Sequence, residues 1–333
     1  MNDMRKKGLA AALSAVEKQL GKAPIRYTTS DGSVKRPLVY STGSLSLDIA
    51  TECGGLPAGR FVEIYGGESS GKTTLCLQAI AHAQRLGATC AFIDAEHALE
   101  PSYAQRIGVN LEEMPVIAPD TGEQAFQIIE TLILSGSVDI IVVDSAAALL
   151  PKSEAMHITP EMSSAQATMI GFAVKRLTPL VARHNTLVIF TNQIRSHFDG
   201  IDGETEVTPC GHALKHYLSM RICMRANTQQ HNKPLPGSEV LCTIVKNKLG
   251  PQFAEATLYL NYGVVREVEL ARIGLEYEVL TKKHGVLYYG DVCLGSKPSE
   301  MRAALAENPQ VATQIEMDIR DRAGITGDLK EAA

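Results

Sequence analysis

The residues Phe61 to Leu75, FVEIYGGESSGKTTL, carry the most specific chemistry in the chain. Gly66 and Gly71 frame Gly67, Glu68, Ser69 and Ser70, and Lys72, Thr73 and Thr74 come next. That is the Walker A spacing, set between an apolar β-branched run and a helical pattern, which is the context the motif requires. Glycines let the backbone curl so that its N–H groups form an anion nest, backed by the positive end of the following helix. Lys72 then reaches the β and γ phosphates of a nucleoside triphosphate, and the Thr73 hydroxyl holds magnesium.

Three further residues end apolar runs that read as buried strands. Asp144 closes VDIIVVDS. A strand-ending aspartate often only caps a helix, but downstream of a Walker A loop its carboxylate suits the magnesium water shell. Glu96 closes TCAFIDAE and could orient and deprotonate a water attacking the γ phosphate, or could be a surface glutamate opening the next helix. Gln193 closes TLVIFTNQ, and its amide can touch a γ phosphate and report its presence to the segment C-terminal to it.

That segment, Ile194 to Gly211, is long, polar and glycine-containing, and a second irregular stretch, Lys152 to Ser164, leaves the same edge after Asp144. Two mobile loops beside a γ-phosphate site suit a switch. On charge alone the longer one reads as a solvated acidic insertion, because Asp199, Asp202, Glu204 and Glu206 outnumber Arg195. Lys246 and Lys248 alternate on one strand face and read by themselves as ordinary edge-strand lysines. His212 and His216 share a helical spacing, but no HExxH surrounds them and a metal site is rejected.

Strands alternating with helices predict a mostly parallel sheet covered on both faces, with ligands at the carboxyl ends of its strands. RICMRAN, SEVLCTIVKNK, ATLYLNYG and VVREVE predict an antiparallel extension. From about Leu270 the pattern turns helical and turn-rich, a small C-terminal domain. At the other end Leu9, Leu13, Val16 and Leu20 form one helical stripe. This helix and its basic connector read as an arm seeking a partner surface or as a helix packed within its own chain. Glu17 and Lys18 interrupt the run where a signal peptide would be cleaved. No run approaches the roughly 20 apolar residues that span a bilayer. Seven cysteines, an odd number without a CxxC pair, argue for a reducing cytoplasm. A net charge of -5 is unlike the basic footprint of a generic nucleic-acid binder, yet residues 1 to 38 hold eight Lys or Arg against three Asp or Glu.

STGSLSLDIA, GGLPAGR, EIYGGESSGKTTL, FIDAEHALEPSYA, PDTGEQA, VDIIVVDSAAAL, NTLVIFTNQIR, HALKHY, GSE and VKNK occur in this order. Together they closely resemble the bacterial RecA recombinase family, densely from Ser41 to Lys248 and more loosely beyond. The resemblance implies an α/β fold: a RecA-type P-loop ATPase core with a mostly parallel central sheet at 39–269, an N-terminal helical polymerisation arm at 1–38, and a small α+β C-terminal domain at 270–333. It implies a DNA-dependent ATPase using ATP and Mg2+, cytoplasmic and not membrane-bound. Such a protein forms a helical filament on single-stranded DNA and exchanges strands with a homologous duplex. Glu96 looks like the catalytic glutamate, Asp144 the Walker B aspartate and Gln193 the γ-phosphate sensor. Glu100, in place of the family's usual aspartate, and Tyr103 lie where adenine is contacted, with Tyr262 assigned to the same nucleotide site. Lys246 and Lys248 match lysines that reach the ATP of the adjacent protomer. Stretches 152–164 and 194–211 correspond to two DNA-binding loops, giving Ser163, Ser164, Lys175, Arg176, Arg195, Ser196, His197, Phe198, Gly211 and His212 as DNA-binding candidates.

Departures from the family pattern include Thr168 for an arginine, His197 for a lysine-like position, Cys210 and His212 for glycine and asparagine, and His216 for an interface phenylalanine. Fewer side-chain phosphate contacts are expected, so backbone N–H groups and bases stacked on loop residues must contribute more. The sequence ends soon after Asp328 without the family's long acidic tail, so less self-inhibition of duplex entry is expected. This pattern suits a divergent bacterial or phage-encoded member. A hexameric RecA-fold helicase and a filament protein that binds nucleotide without hydrolysis are the competing readings.

Overall fold

The computed structural model describes residues 2–20, 38–155, 163–199, 203–227 and 237–325. The chain clusters into two units, Met1–Arg36 and Pro37–Ala333. The first contains the expected helix, Asn2–Leu20.

The second unit is built on a nine-stranded sheet. From one edge its order is Gly263–Val264, Glu255–Asn261, Ser238–Asn247, Met220–Ala226, Phe61–Gly66, Leu187–Gln193, Ile140–Asp144, Cys90–Asp94 and Val116–Ile117. The last six are mutually parallel and the first three antiparallel, so SEVLCTIVKNK and ATLYLNYG extend the sheet as the sequence predicts, whereas RICMRAN does not: Met220–Ala226 runs parallel to Phe61–Gly66 and the reversal begins one strand later. Period-two alternation assigns the two faces. Val62, Ile64, Val142 and Ile189 pack with Leu75, Leu77 and Ile80 of the phosphate-loop helix Lys72–Arg85. Phe61, Val143, Ile141 and Phe190 pack on the other side with Ile129, Ile133, Val174 and Leu177. Parallel pairing brings Gly66, Asp94, Asp144 and Gln193, each at the carboxyl end of its strand, to one rim.

Three segments differ from expectation. VVREVE is not an antiparallel strand: only its first residue, Val264, ends one, and Arg266–Glu276 is a helix. Val265 at the helix start and Val268 and Glu269 one turn on are buried, a three-to-four residue spacing that a window of six residues cannot separate from alternation. The stretch 194–211 is not wholly irregular, because Arg195–Asp199 and Gly203–Val207 pair as an antiparallel ribbon and a helix begins at Gly211. The stretch 152–164 opens with a helical turn, Lys152–Ala155, and closes in the helix Ser163–His184, while 156–162 lie outside the described residues. The C-terminal segment is α+β as expected. Its three-stranded sheet, Thr281–Lys283, Val286–Tyr289 and Val292–Gly295, precedes two helices, Pro298–Glu307 and Pro309–Arg322.

This segment is joined to the sheet domain by buried polar contacts. Glu269 accepts from the Ser44 hydroxyl at 2.5 Å and the Leu45 N–H at 3.0 Å, so it caps the short helix Leu45–Ala50. Arg320 donates to Asp48 at 2.7 Å, and Asp48 also accepts from Ser41 and Thr42. Burial pushes the Glu269 carboxyl up to about 7, against hydrogen bonds that pull it down. The folded chain therefore holds this proton more tightly than the unfolded chain. Its contribution to stability is complete below about pH 4.5 and is lost as pH rises through about 7. Urea midpoints should fall between pH 5 and 8, and Glu269→Gln should flatten that fall. An equal slope in the variant would assign the pH dependence elsewhere.

Candidate functional site

The turn after Phe61–Gly66 is shaped by its glycines. A side chain at Gly66 would lie 2.2 Å from the Met224 carbonyl, and Gly71 sits at a φ of 90° as the N-cap of the helix Lys72–Arg85. No side chain caps that helix, so its first N–H groups are left for a ligand. Ser70 Oγ, buried within the loop, has no hydrogen-bond partner among the described residues. Lys72 Nζ folds over the turn and donates to the carbonyls of Gly67 at 2.7 Å and Gly66 at 3.3 Å. Burial lowers its affinity for a proton, while Asp144, Glu96 and Glu68 act to raise it. Glu68 and Ser69 are exposed on the outside of the turn. Uncapped N–H groups, an orphaned hydroxyl and a cation folded onto weak acceptors fit a triphosphate.

Beside the loop, Asp144 Oδ2 accepts from Thr73 Oγ1 at 2.6 Å and Oδ1 from Thr191 Oγ1 at 2.5 Å. Burial raises the Asp144 carboxyl above its ordinary range, and the two threonine hydroxyls pull it down. A carboxylate and a hydroxyl meeting at the end of a phosphate loop are the hard oxygen donors that magnesium takes. Glu96 is held on the next strand end, its N–H bonded to the Asp144 carbonyl at 3.2 Å. Its Oε1 accepts from Ser145 Oγ at 2.5 Å and from Gln193 Nε2 at 3.4 Å. Asp94 accepts from the N–H groups of Ala98 and Leu99 and shapes the turn that carries Glu96.

Farther along the rim the Tyr103 hydroxyl meets Thr74 Oγ1 at 2.7 Å. The Tyr103 and Tyr262 rings lie 6.2 Å apart, and the Arg106 guanidinium sits 5.1 Å over Tyr262. Two rings and a cation form a surface on which an aromatic base can stack. Glu100 caps the helix Pro101–Ile107 through the Ser102 N–H.

The paired lysines lie away from this rim. Lys246 is in register with Arg221, which is in register with Glu63, three residues before Gly66. Lys246 Nζ donates to the Lys215 carbonyl at 2.5 Å and Lys248 Nζ to that of His216 at 3.4 Å, near the C-terminus of the helix Gly211–Tyr217. On the helix Ser163–His184, Arg176 is paired with Glu130 at 2.8 Å, and Lys175 lies in a groove with Phe172 and Met169. Ser163 and Ser164 begin that helix, Arg195, Ser196, His197 and Phe198 are consecutive on one ribbon strand, and Gly211 and His212 open the next helix.

The sequence reading missed the side-chain roles of Thr191 and Ser145. Thr191 lies two residues before Gln193, on the same strand face, which was its only signal. Ser145 was visible as a strand end without a function.

A family model described as the RecA N-terminal domain matches residues 7–265. Protein RecA of Methylococcus capsulatus is 44% identical over 330 residues, covering 97% of this chain and 94% of that one. Protein RecA of Legionella pneumophila (strain Corby) is 45% identical over 328 residues, covering 96% and 93%. That of an Azoarcus species is 45% identical over 325 residues, covering 96% and 94%.

The chain belongs to the RecA family.

Near full-length correspondence with RecA proteins makes DNA recombination its function, and favours neither a helicase nor a non-hydrolysing filament protein. Membership implies a DNA-dependent, nucleotide-binding ATPase that binds DNA and forms filaments. Among the described residues, no helix is long and apolar enough to cross a membrane. The short bond from Ser145 to Glu96 yields a test of positioning. Ser145→Ala should lower kcat for ATP about tenfold, about 1.4 kcal/mol of barrier, with nucleotide affinity unchanged in a fluorescence titration. An unaltered kcat would remove the serine from the site's working geometry.

Proposed function

We propose that this RecA-family chain hydrolyses ATP at a site shared between two copies, assembled head to tail on single-stranded DNA, and that the filament pairs that strand with a homologous duplex. The observation that supports a shared site is the place of the paired lysines. Lys246 is level with Glu63, and at about 3.3 Å per residue that is about 10 Å along the strand from Gly66, toward the rim opposite the phosphate loop. Within one chain the lysines are about three strand residues or more below the phosphate loop and bonded to the Lys215 and His216 carbonyls. A neighbour stacked rim to rim brings lysines and phosphates together, and a contact between opposite faces repeats into an open helix.

In this reading Lys72 leaves the Gly66 and Gly67 carbonyls for the β and γ phosphate oxygens. Thr73 and Asp144 hold magnesium, which when bound neutralises charge on the phosphates. Glu96, kept in place by Ser145, orients the attacking water and takes its proton. Gln193, beside Glu96, touches the γ phosphate and passes its presence to residues 194–211. Lys246 and Lys248 of the next copy stabilise charge at the transferring phosphate, and Tyr103 and Tyr262 with Glu100 bound the adenine. The stretches 152–164 and 194–211 hold DNA, the helix of 1–38 docks on a neighbour's 39–269 core, and 270–333 forms the C-terminal domain. Because nucleotide and DNA bias the same loops, each tightens binding of the other by the same factor.

ATP turnover with and without single-stranded DNA tests the shared site. DNA should stimulate the wild type, and Lys248→Ala should lose about a thousandfold of the stimulated rate, as for a cation supplied in trans. No stimulation by DNA, or stimulated turnover intact in the variant, rejects the mechanism. Arg195→Ala should weaken binding to single-stranded DNA and reduce the slope of log K against log salt by about 0.7. An unchanged slope takes Arg195 off the phosphates.

A further inference from the structure

Glu63 is a carboxylate with no exposed surface, in the middle of the phosphate-loop strand and outside the nucleotide site. Side chains from both neighbouring strands meet on it. Arg221 on the adjacent parallel strand donates through Nε to Oε2 at 2.5 Å, and its guanidinium lies 4.5 Å over the Tyr65 ring. Asn192, also fully buried, donates through Nδ2 to Oε1 at 2.8 Å.

These partners reach the two ends of the 194–211 stretch. At its entry, the Asn192 side-chain carbonyl accepts the backbone N–H of Gln193 at 3.0 Å, and the Ile194 N–H donates to the Gly66 carbonyl at 3.3 Å. At its exit, the same Asn192 Nδ2 also lies 3.3 Å from the Pro209 carbonyl, and Arg221 Nη2 donates to the Thr208 hydroxyl at 3.3 Å. Entry and exit are thus tied to one buried carboxylate three residues before Gly66. An amide with both ends engaged cannot turn without giving up a bond in a place where water cannot replace it. A displacement of Gln193 at the rim is therefore carried by Asn192 to Pro209, and the two feet of the ribbon move together.

We propose that Glu63, Asn192, Arg221 and Thr208 form a clamp that joins both feet of the 194–211 ribbon to the phosphate-loop strand, and that this clamp converts nucleotide occupancy into DNA affinity. These four are positioning residues, since none of them faces the nucleotide. The inference rests on the proposed function of residues 194–211 as a DNA-binding loop governed by Gln193. It adds that Gln193 alone does not suffice. Without the clamp, Gln193 moves the entry strand while the exit stays behind, and the ribbon does not reorient as a body.

The test is the ratio of single-stranded DNA affinities with and without a non-hydrolysable ATP analogue, measured by anisotropy of a labelled oligothymidylate. Wild type should tighten on adding the analogue, and a ratio of one there would overturn the loop reading and this inference with it. Given a wild-type response, Asn192→Ala should bind the analogue within about threefold of wild type while its coupling ratio falls about tenfold, a loss within the usual range of allosteric coupling. A ratio within twofold of wild type would overturn the clamp and leave the loop reading standing. Loss of analogue binding would overturn it as well, because the effect would then lie at the nucleotide site. Should Asn192→Ala fail to fold, Thr208→Val decides, since it removes one hydroxyl at the exit and no charge. A two- to fivefold drop in its ratio supports the clamp, and an unchanged ratio overturns it.

Discussion

Asp144 is where the phosphate loop, the sensor strand and the glutamate turn are held to one another. Its carboxylate takes the Thr73 hydroxyl from the first turn of the loop helix and the Thr191 hydroxyl from the neighbouring strand. Its backbone carbonyl takes the N–H groups of Ala95 and Glu96 from the other side. Each bond is short-range, but together they fix the relative height of three strand ends. The strand pairings to Leu187–Gln193 and Cys90–Asp94 then have one register in which the polar ends coincide. A slip of one residue would turn Asp144 and Thr191 to the wrong faces and separate Thr73 from its acceptor.

The rest of the domain keeps charge inside the protein in a few paired places. The carboxyls of Glu63 with Arg221, Asp48 with Arg320, and Glu269 with the Ser44 hydroxyl and Leu45 N–H are removed from water, and each joins segments far apart in sequence. Such groups add little net stability compared with an apolar packing of the same shape. What they add is direction, because a buried carboxylate accepts only from donors that arrive at the right angle. Glu269 and Asp48 orient the C-terminal segment on the Ser41–Asp48 turn, while Glu63 orients the strand ends around the ribbon. Hydrophobic contacts on either sheet face hold these segments close without specifying their orientation.

The acidic net charge of the chain sits uneasily with DNA binding, and the arrangement of the basic groups eases the conflict. Arg176, one of the basic DNA-binding candidates, is paired with Glu130, so side-chain charge need not supply all of the contact. Backbone N–H groups and stacking on bases carry contact with a strand without long-range charge attraction.

The sequence by itself determined the features whose cause is local. Glycine spacing announces a phosphate loop because only glycine tolerates Gly71's backbone and the close approach at Gly66, and Val- and Ile-rich runs announce buried parallel strands. The polar residue at each strand end was legible for the same reason, and the family resemblance came from those stretches taken in order. Local pattern misled where two periods fit one short window, as in VVREVE, and where polar residues hid a ribbon in 195–207, since ribbon pairing needs no apolar face. The tertiary structure alone decided which of these residues meet. Glu63 and Arg221 are 158 positions apart and Ser44 and Glu269 are 225. Nothing in the neighbourhood of either partner names the other, because strand order and register are set by the packing of both sheet faces at once. The same holds for Lys246 and Lys248: the sequence supplies two alternating cations, and only the register of their strand puts them at the rim opposite the phosphate loop.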